Sequence, residues 1–281
     1  MKVYKTALEL NNAIQSLNHV KPNVGFVPTM GALHPGHISL VKKSVSENDI
    51  TVVSIFVNPT QFNDKNDLLN YPRTMDSDLD LLSKNGCDFV FAPSEKEMYP
   101  EPETRKFVFG ELEEVMEGKH RPGHFNGVAQ IVSKLFSVVP AQKAYFGEKD
   151  FQQVAIIRKL TEMLKIPVEI ISCPILREDD GLAMSSRNTL LTEIQRKKAP
   201  FIYKTLRKSL DQAGKLPVNE LINWVVNTVD ENPELKTEYF NIVDEFTLKN
   251  IDSWQHNGNK IGCIAVKVGN IRLIDNIRYN L

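Results

Sequence analysis

The chain has 281 residues, 42% hydrophobic and 25% charged, the proportions of a globular protein able to bury one large core or two ordinary ones. Its 34 basic and 35 acidic side chains leave a net charge of −1, which argues against a nucleic-acid binder but leaves room for a few cations gathered around a compact anion. No apolar run approaches the ~20 residues of a membrane span, and the widely separated Cys87, Cys173 and Cys263 show no metal spacing and read as reduced thiols of a cytoplasmic protein.

The N-terminal stretch, MKVYKTALELNNAIQSL, reads as a strand leading into an amphipathic helix and lacks the continuous apolar core of a signal peptide. Further strands are predicted at 24–28, 51–57, 88–93, 143–148 and 167–175. Several are apolar nearly throughout, which suits a parallel sheet covered on both faces. Helical spacing joins Val128, Ile131, Val132, Leu135, Phe136 and Val139 over 127–139, and Val154, Ile157, Leu160 and Leu164 over 152–165. Such alternation predicts an α/β fold with a doubly wound parallel sheet, ligands lying outside the carboxyl ends of its strands.

Beyond residue 176 the texture changes. TEIQRKKAPFIYKTLRKSLDQAG and VNELINWVVNTVDE read as two helices, and LKTEYFNIVD and GCIAVKVGNIRLIDNI as strands, the latter interrupted by Gly269-Asn270. This is α+β. The expected division is 1–176 for the larger domain and 177–281 for a smaller one.

Four stretches offer chemistry. In PTMGALHPGH, Gly31 and Gly36 admit a close backbone approach, and His34 and His37 stand at the start of the following helix. A helix N-terminus is an anion site, and its field favours neutral imidazoles that donate through N–H to charge growing on a phosphoryl group. The bland alternative is a helix start with two incidental histidines. FVNPTQF places Asn58 and Gln61 at the next strand's carboxyl end, where amides suit hydroxyl and carboxylate oxygens; a plain Asn-Pro turn is the alternative. YFGEKDFQQ supplies Gly147, Glu148, the phosphate-seeking Lys149, Asp150 for ribose hydroxyls, and Gln152 and Gln153, of which only one can face a ligand. DGLAMSSRN, with Gly181, Ser185, Ser186 and Arg187, reads either as a mobile phosphate-closing loop or as a Ser-rich linker. The loop around His120, Arg121 and His124 is a weaker candidate. Asp76, Asp78 and Asp80 read as a solvated helix face, with a magnesium role as the minority alternative.

Taken in order, PTMGALHPGH, FVNPTQF, YPRT, RPGHFNGV, FGEKDFQQ and MSSRN resemble the pantothenate synthetase family, ligases that join pantoate to β-alanine. The resemblance runs from about residue 24 to 190. The first motif is similar to the His-Ile-Gly-His signature of class I aminoacyl-tRNA synthetases and nucleotidylyltransferases. The resemblance implies a Rossmann-like N-terminal domain, a small C-terminal lid, a homodimer, and Mg²⁺ and ATP as reactants with small-molecule partners only. It implies that Met30, Gly31, Ala32, Leu33, His34, Pro35, Gly36 and His37 cradle ATP, with His37 the proton donor. Gly147, Glu148, Lys149 and Asp150 would bind the nucleotide, Leu176 the adenine through its backbone, and Met184, Ser185, Ser186 and Arg187 the phosphates. Gln61 and Gln153 would hold pantoate, Gln61 also bordering the β-alanine site. The synthetase loop Lys-Met-Ser-Lys-Ser is reduced here to one internal cation, so Lys149 and Arg187 carry more of the pyrophosphate charge. No residue is assigned to magnesium. A nucleotidylyltransferase and a non-catalytic RNA- or nucleotide-binding module remain as rival readings.

Overall fold

A computed structural model of the chain describes residues 1–17 and 22–280. In chain order it runs β1 (Lys2–Tyr4), α1 (Ala7–Ser16), β2 (Val24–Thr29), α2 (Pro35–Glu47), β3 (Ile50–Ile55), α3 (Lys65–Asn70), α4 (Met75–Lys84), β4 (Phe89–Phe91) and α5 (Glu95–Met98). There follow α6 (Met116–His120), α7 (His124–Val138), β5 (Lys143–Gly147), α8 (Phe151–Leu164) and β6 (Glu169–Cys173). The remainder is α9 (Glu193–Lys198), α10 (Phe201–Gln212), α11 (Val218–Asp230), β7 (Leu235–Asp244), β8 (Lys260–Val268) and β9 (Ile271–Tyr279). Two compact units result: Met1–Glu113 with Arg121–Glu148 and Gln153–Pro174, and Glu114–His120 with Lys149–Gln152 and Ile175–Leu281.

In the first unit six strands pair in the order β1-β4-β3-β2-β5-β6, every pair parallel. Alternate residues supply the two faces. Val24, Phe26, Val52, Phe89, Phe91, Ala144 and Phe146 join α1, α7 and α8 in one core. Val27, Val53, Ile55, Val90 and Tyr145 join α2 and Leu82 of α4 in the other. This is why the strands are apolar on both parities. All six of the residues predicted on one helical face over 127–139 are buried; on α8, Leu164 is 42% exposed, and Ile156, outside the predicted set, is fully buried.

The chain leaves β2 toward β3 on one side and later returns to β5 on the other. This reversal makes the β2/β5 neighbourhood the switch point at which α/β sheets bind ligands. Thr29 ends β2 beside Ile55, and Gly147 ends β5 beside Cys173, so their carboxyl ends share one sheet edge.

In the second unit β7, β8 and β9 form an antiparallel sheet backed by α10 and α11. The helix predicted across 192–214 is divided in two. Pro200 cannot donate to the preceding turn and its ring crowds that turn, so α9 stops before it and α10 starts after it. Gly269 takes φ +58 at the first position of the two-residue β8–β9 turn, where Asn270 does not need a positive φ.

Candidate active site

The loop leaving β2 is held from its protein side by one carboxylate. Gly31 and Ala32 both adopt left-handed backbone, φ +80 and +49. That turn points two amides at Asp78 of α4: Ala32 N donates to Oδ2 at 2.9 Å and Leu33 N to Oδ1 at 2.8 Å. Thr74 Oγ1 donates to the same Oδ1 at 3.0 Å. A Cβ on Gly31 would lie 3.0 Å from both Asp78 Oδ2 and the Ile55 side chain, so the glycine is required by space as well as by φ. Asp78 is 1% exposed, which corrects the expectation of a solvated Asp76–Asp78–Asp80 face. Residues two apart on a helix stand about 200° apart, so the middle acid turns inward while its neighbours look to solvent.

The loop then enters α2 through a capping box made of histidines. His34 is the N-cap, Pro35 occupies the first helical position, and Gly36 N donates to His34 Nδ1 at 3.1 Å. His34 N in turn approaches His37 Nδ1 at 3.4 Å, and the two rings pack with centroids 4.0 Å apart. A nitrogen that accepts carries no proton. Each ring is therefore neutral with its proton on Nε2, the tautomer of an N–H donor. The bland reading and the chemical one share this geometry: the histidines cap the helix, and capping sets their tautomer.

At the end of β3, Pro59–Gln61 form a 3-10 turn. Asn58, expected to bind substrate, is 1% exposed and has its amide engaged within the protein. Its Nδ2 donates to Gln61 Oε1 and Gly127 O, and its Oδ1 accepts from Tyr99 and Thr60 hydroxyls, which fills its hydrogen-bonding capacity. Gln61 lies against the end of β2, its Nε2 2.9 Å from Met30 Sδ. His124, the weaker candidate from the basic loop that also carries His120 and Arg121, is 6% exposed. Its Nδ1 is 2.8 Å from Gln61 O and its Nε2 3.2 Å from the Arg121 guanidinium, so Nδ1 donates and Nε2 accepts. Sequence reasoning missed this support of Gln61, because about 60 residues of chain separate the partners.

Beyond β5, Glu148–Asp150 form a 3-10 turn into α8, and Lys149 pairs with Asp150 at 3.3 Å. Of the two glutamines, Gln152 is the one turned into the protein: it is 3% exposed, accepts from Glu117 N and donates to Val115 O. Gln153 is half-buried.

Residues 176–190 are a braced hairpin rather than an open linker. Met184 N donates to Leu176 O, Arg177 pairs with Ala183, and Gly181 turns the chain at φ +93. Asn188 Nδ2 ties Glu178 to Ala183 O, Arg196 binds both Glu178 and Asp180, and Ser185 caps the turn that carries Arg187. Elsewhere in this unit Arg272 binds Glu117 and Glu238, and Tyr239 donates to Glu117. That cluster also escaped sequence reasoning. The three cysteines are free and buried, and burial pushes the Cys87 thiol up to about 12 and Cys173 up to about 11, so both are inert thiols at neutral pH.

Comparison with known proteins gives one answer. The family model described as pantoate-beta-alanine ligase matches residues 2–278. The pantothenate synthetase of Bacteroides fragilis strain YCH46 is 54% identical over 279 residues, covering 99% of each chain, and that of Porphyromonas gingivalis strain ATCC 33277 is 52% identical over the same length and coverage. The crystal structure of pantothenate synthetase from Thermus thermophilus superposes with a TM-score of 0.92 at 41% identity, covering 99% of this chain and 100% of that one. Pantoate-beta-alanine ligase from Francisella tularensis, crystallised with beta-gamma ATP and beta-alanine, superposes at 0.82 with 38% identity, covering 99% and 97%. The nucleotidylyltransferase and binding-module readings give way to these full-length matches, and the chain belongs to the pantoate–β-alanine ligase family.

Proposed function

We infer that this ATP-dependent ligase condenses pantoate with β-alanine in two steps. A pantoate carboxylate oxygen attacks the α-phosphorus of ATP, giving pantoyl adenylate as pyrophosphate leaves. The β-alanine amine then attacks the acyl carbon, gives up a proton, and AMP departs. A carboxylate is a poor electrophile until one of its oxygens becomes part of a good leaving group, and adenylation makes it so. The residues' task is alignment and charge stabilisation.

In this reading the 30–37 segment holds ATP, and Nε2–H of His34 and His37 donates to phosphate oxygens at the start of α2, with His37 serving the leaving pyrophosphate. Gly147 to Asp150 bind the nucleotide, Lys149 on phosphates. Leu176 meets adenine through its backbone, and Met184 to Arg187 take the phosphates. Gln61 and Gln153 hold pantoate, Gln61 bordering β-alanine as well, while Asn58 acts one step removed by orienting Gln61. The observation that carries the reading is the histidine capping box at the sheet's switch point, which yields two N–H donors on a helix N-terminus.

Magnesium enters as part of MgATP. As a hard cation that keeps several waters, it would be carried mainly by the phosphate oxygens. The proposal extends to a cytoplasmic homodimer with small-molecule partners only.

Pantoate labelled with oxygen-18 in its carboxylate tests the route. Attack at the α-phosphorus puts one labelled oxygen into AMP. Label in orthophosphate, with ADP as co-product, would instead mean an acyl phosphate and overturn the reading.

A further inference from the structure

The sheet of the second unit is covered on its two faces by different material. On β9, Leu273 and Tyr279 point into the core built with α10 and α11. Asp275 has the same parity and is 5% exposed. The intervening residues face the other way, onto two segments from much earlier in the chain. Arg272 binds both carboxylate oxygens of Glu117 at 2.7 Å, and the Arg278 guanidinium lies 5.8 Å from the Phe151 ring centre. Between them Asn276, 7% exposed, donates through Nδ2 to the carbonyl of Lys149 at 3.2 Å.

On the core side, Asp275 receives Arg177 through both oxygens, at 2.7 and 2.9 Å. The same guanidinium stacks 3.5 Å from the centre of the Tyr203 ring, donates to Gly181 O, and reaches Asn276 O at 3.4 Å. Arg177 forms the base of the hairpin whose far arm runs through Ala183 to Ser185 and Arg187. Asp275 Oδ1 also accepts from Asn276 N at 2.8 Å, which locks the two side chains' common backbone. Two adjacent residues of one strand thus hold, on opposite faces, the main chain of Lys149 and the root of the Arg187 hairpin.

We propose that Asp275 and Asn276 are positioning residues for the ATP phosphates, setting the separation between Lys149 and the 184–187 turn. The inference rests on the reading of Lys149 and Arg187 as phosphate ligands. Lysine is a point charge on a flexible stem, so its effect on a polyphosphate depends on where its backbone is anchored. Anchoring before the ligand arrives removes part of the ordering cost of binding. A buried Arg–Asp pair is a poor source of net stability, since its desolvation offsets its attraction, and a good source of fixed geometry. In the second unit that geometry is applied to the two segments that carry the phosphate cations.

The test is a double-mutant cycle on the full-length enzyme with ATP KM, β-alanine KM and melting temperature as readouts. Asn276→Ala is expected to raise ATP KM about tenfold, the equivalent of one hydrogen bond at ~1.4 kcal/mol, with β-alanine KM within about twofold. In a Lys149→Ala background the same change adds nothing further, because its effect runs through Lys149. An ATP KM within about twofold of wild type, or an equal effect in both backgrounds, overturns the positioning role while leaving Lys149 as a ligand. An unchanged ATP KM in Lys149→Ala alone instead defeats the phosphate-ligand reading. Should Asn276→Ala not fold, Asn276→Ser carries the same cycle. Arg177→Lys tests the other arm: it keeps the charge, loses the fork, and is expected to be non-additive with Arg187→Ala.

Discussion

Replacing Asp78 by Asn would leave the shape of the β2–α2 loop's support and remove its charge. The best amide orientation keeps Oδ1 on Leu33 N and Thr74 Oγ1, and sets Nδ2 against Ala32 N, where Oδ2 accepts at 2.9 Å in the native protein. One charge-assisted hydrogen bond becomes a donor facing a donor, a loss of roughly 2–3 kcal/mol. Ala32 holds a left-handed backbone at φ +49 that costs about 1 kcal/mol and persists only while its amide is bound, so relaxation falls on this loop. The native state is expected to lose roughly 3–5 °C in Tm. The adenylation step, which depends on where the loop places His34 and His37, is expected to slow by about tenfold to a hundredfold, since small displacements of positioned groups carry costs of that size. Differential scanning fluorimetry and pre-steady-state pyrophosphate release with pantoate and ATP measure the two. A folded Asp78→Asn enzyme releasing pyrophosphate within about twofold of the wild-type rate would refute the argument that this carboxylate sets the loop.

His37→Ala is expected to fold, losing one capping interaction worth about 1 kcal/mol, and to slow single-turnover adenylate formation by roughly a hundredfold or more; an undiminished rate removes His37 from the chemistry. Gly127→Ala places a Cβ 2.3 Å from Thr60 O and 2.8 Å from Gln61 Cα, so the Asn58–Gln61 turn must move. A raised pantoate KM with ATP KM unchanged is the expected steady-state result, and the reverse pattern would contradict it. Arg105 holds the Glu103 carboxyl down at about 2, below its ordinary 4.5, with Lys134 assisting at 3.1 Å. A lowered folded-state value gives stability that is present above pH 4.5 and lost as the pH falls toward 2. Since Arg105 is solvent-facing, the contribution is no more than about 1 kcal/mol. The Tm difference between wild type and Glu103→Gln should shrink on acidification from about pH 6 to about pH 3, and a difference independent of pH would show that the pairing contributes nothing.

The α/β frame could be read from sequence because a sheet buried on both faces writes itself as short apolar runs, and because α7 repeats its apolar face without interruption. The expectation of ligands outside the strands' carboxyl ends followed from the same alternation, whereas the strand order that puts the switch point at β2 and β5 did not. What escaped reading was set by long-range packing. Asp78 belongs to an acidic run that looks solvated until α4 is docked against the β2–α2 loop. Asn58 looks like a ligand until Tyr99 and Gly127 are brought to it from elsewhere in the chain. The Arg272–Glu117 pair joins residues 155 positions apart, which no local pattern encodes. The division at Pro200 was locally visible, and a continuous helical period masked it. Leu164 kept the period of α8 but is its last residue, where it stays 42% exposed.

ATP–pyrophosphate exchange addresses the central claim most directly. With pantoate, MgATP and labelled pyrophosphate, and no β-alanine present, the account predicts label entering ATP, because the adenylate forms reversibly before the amine binds. Exchange that appears only after β-alanine is added would contradict it.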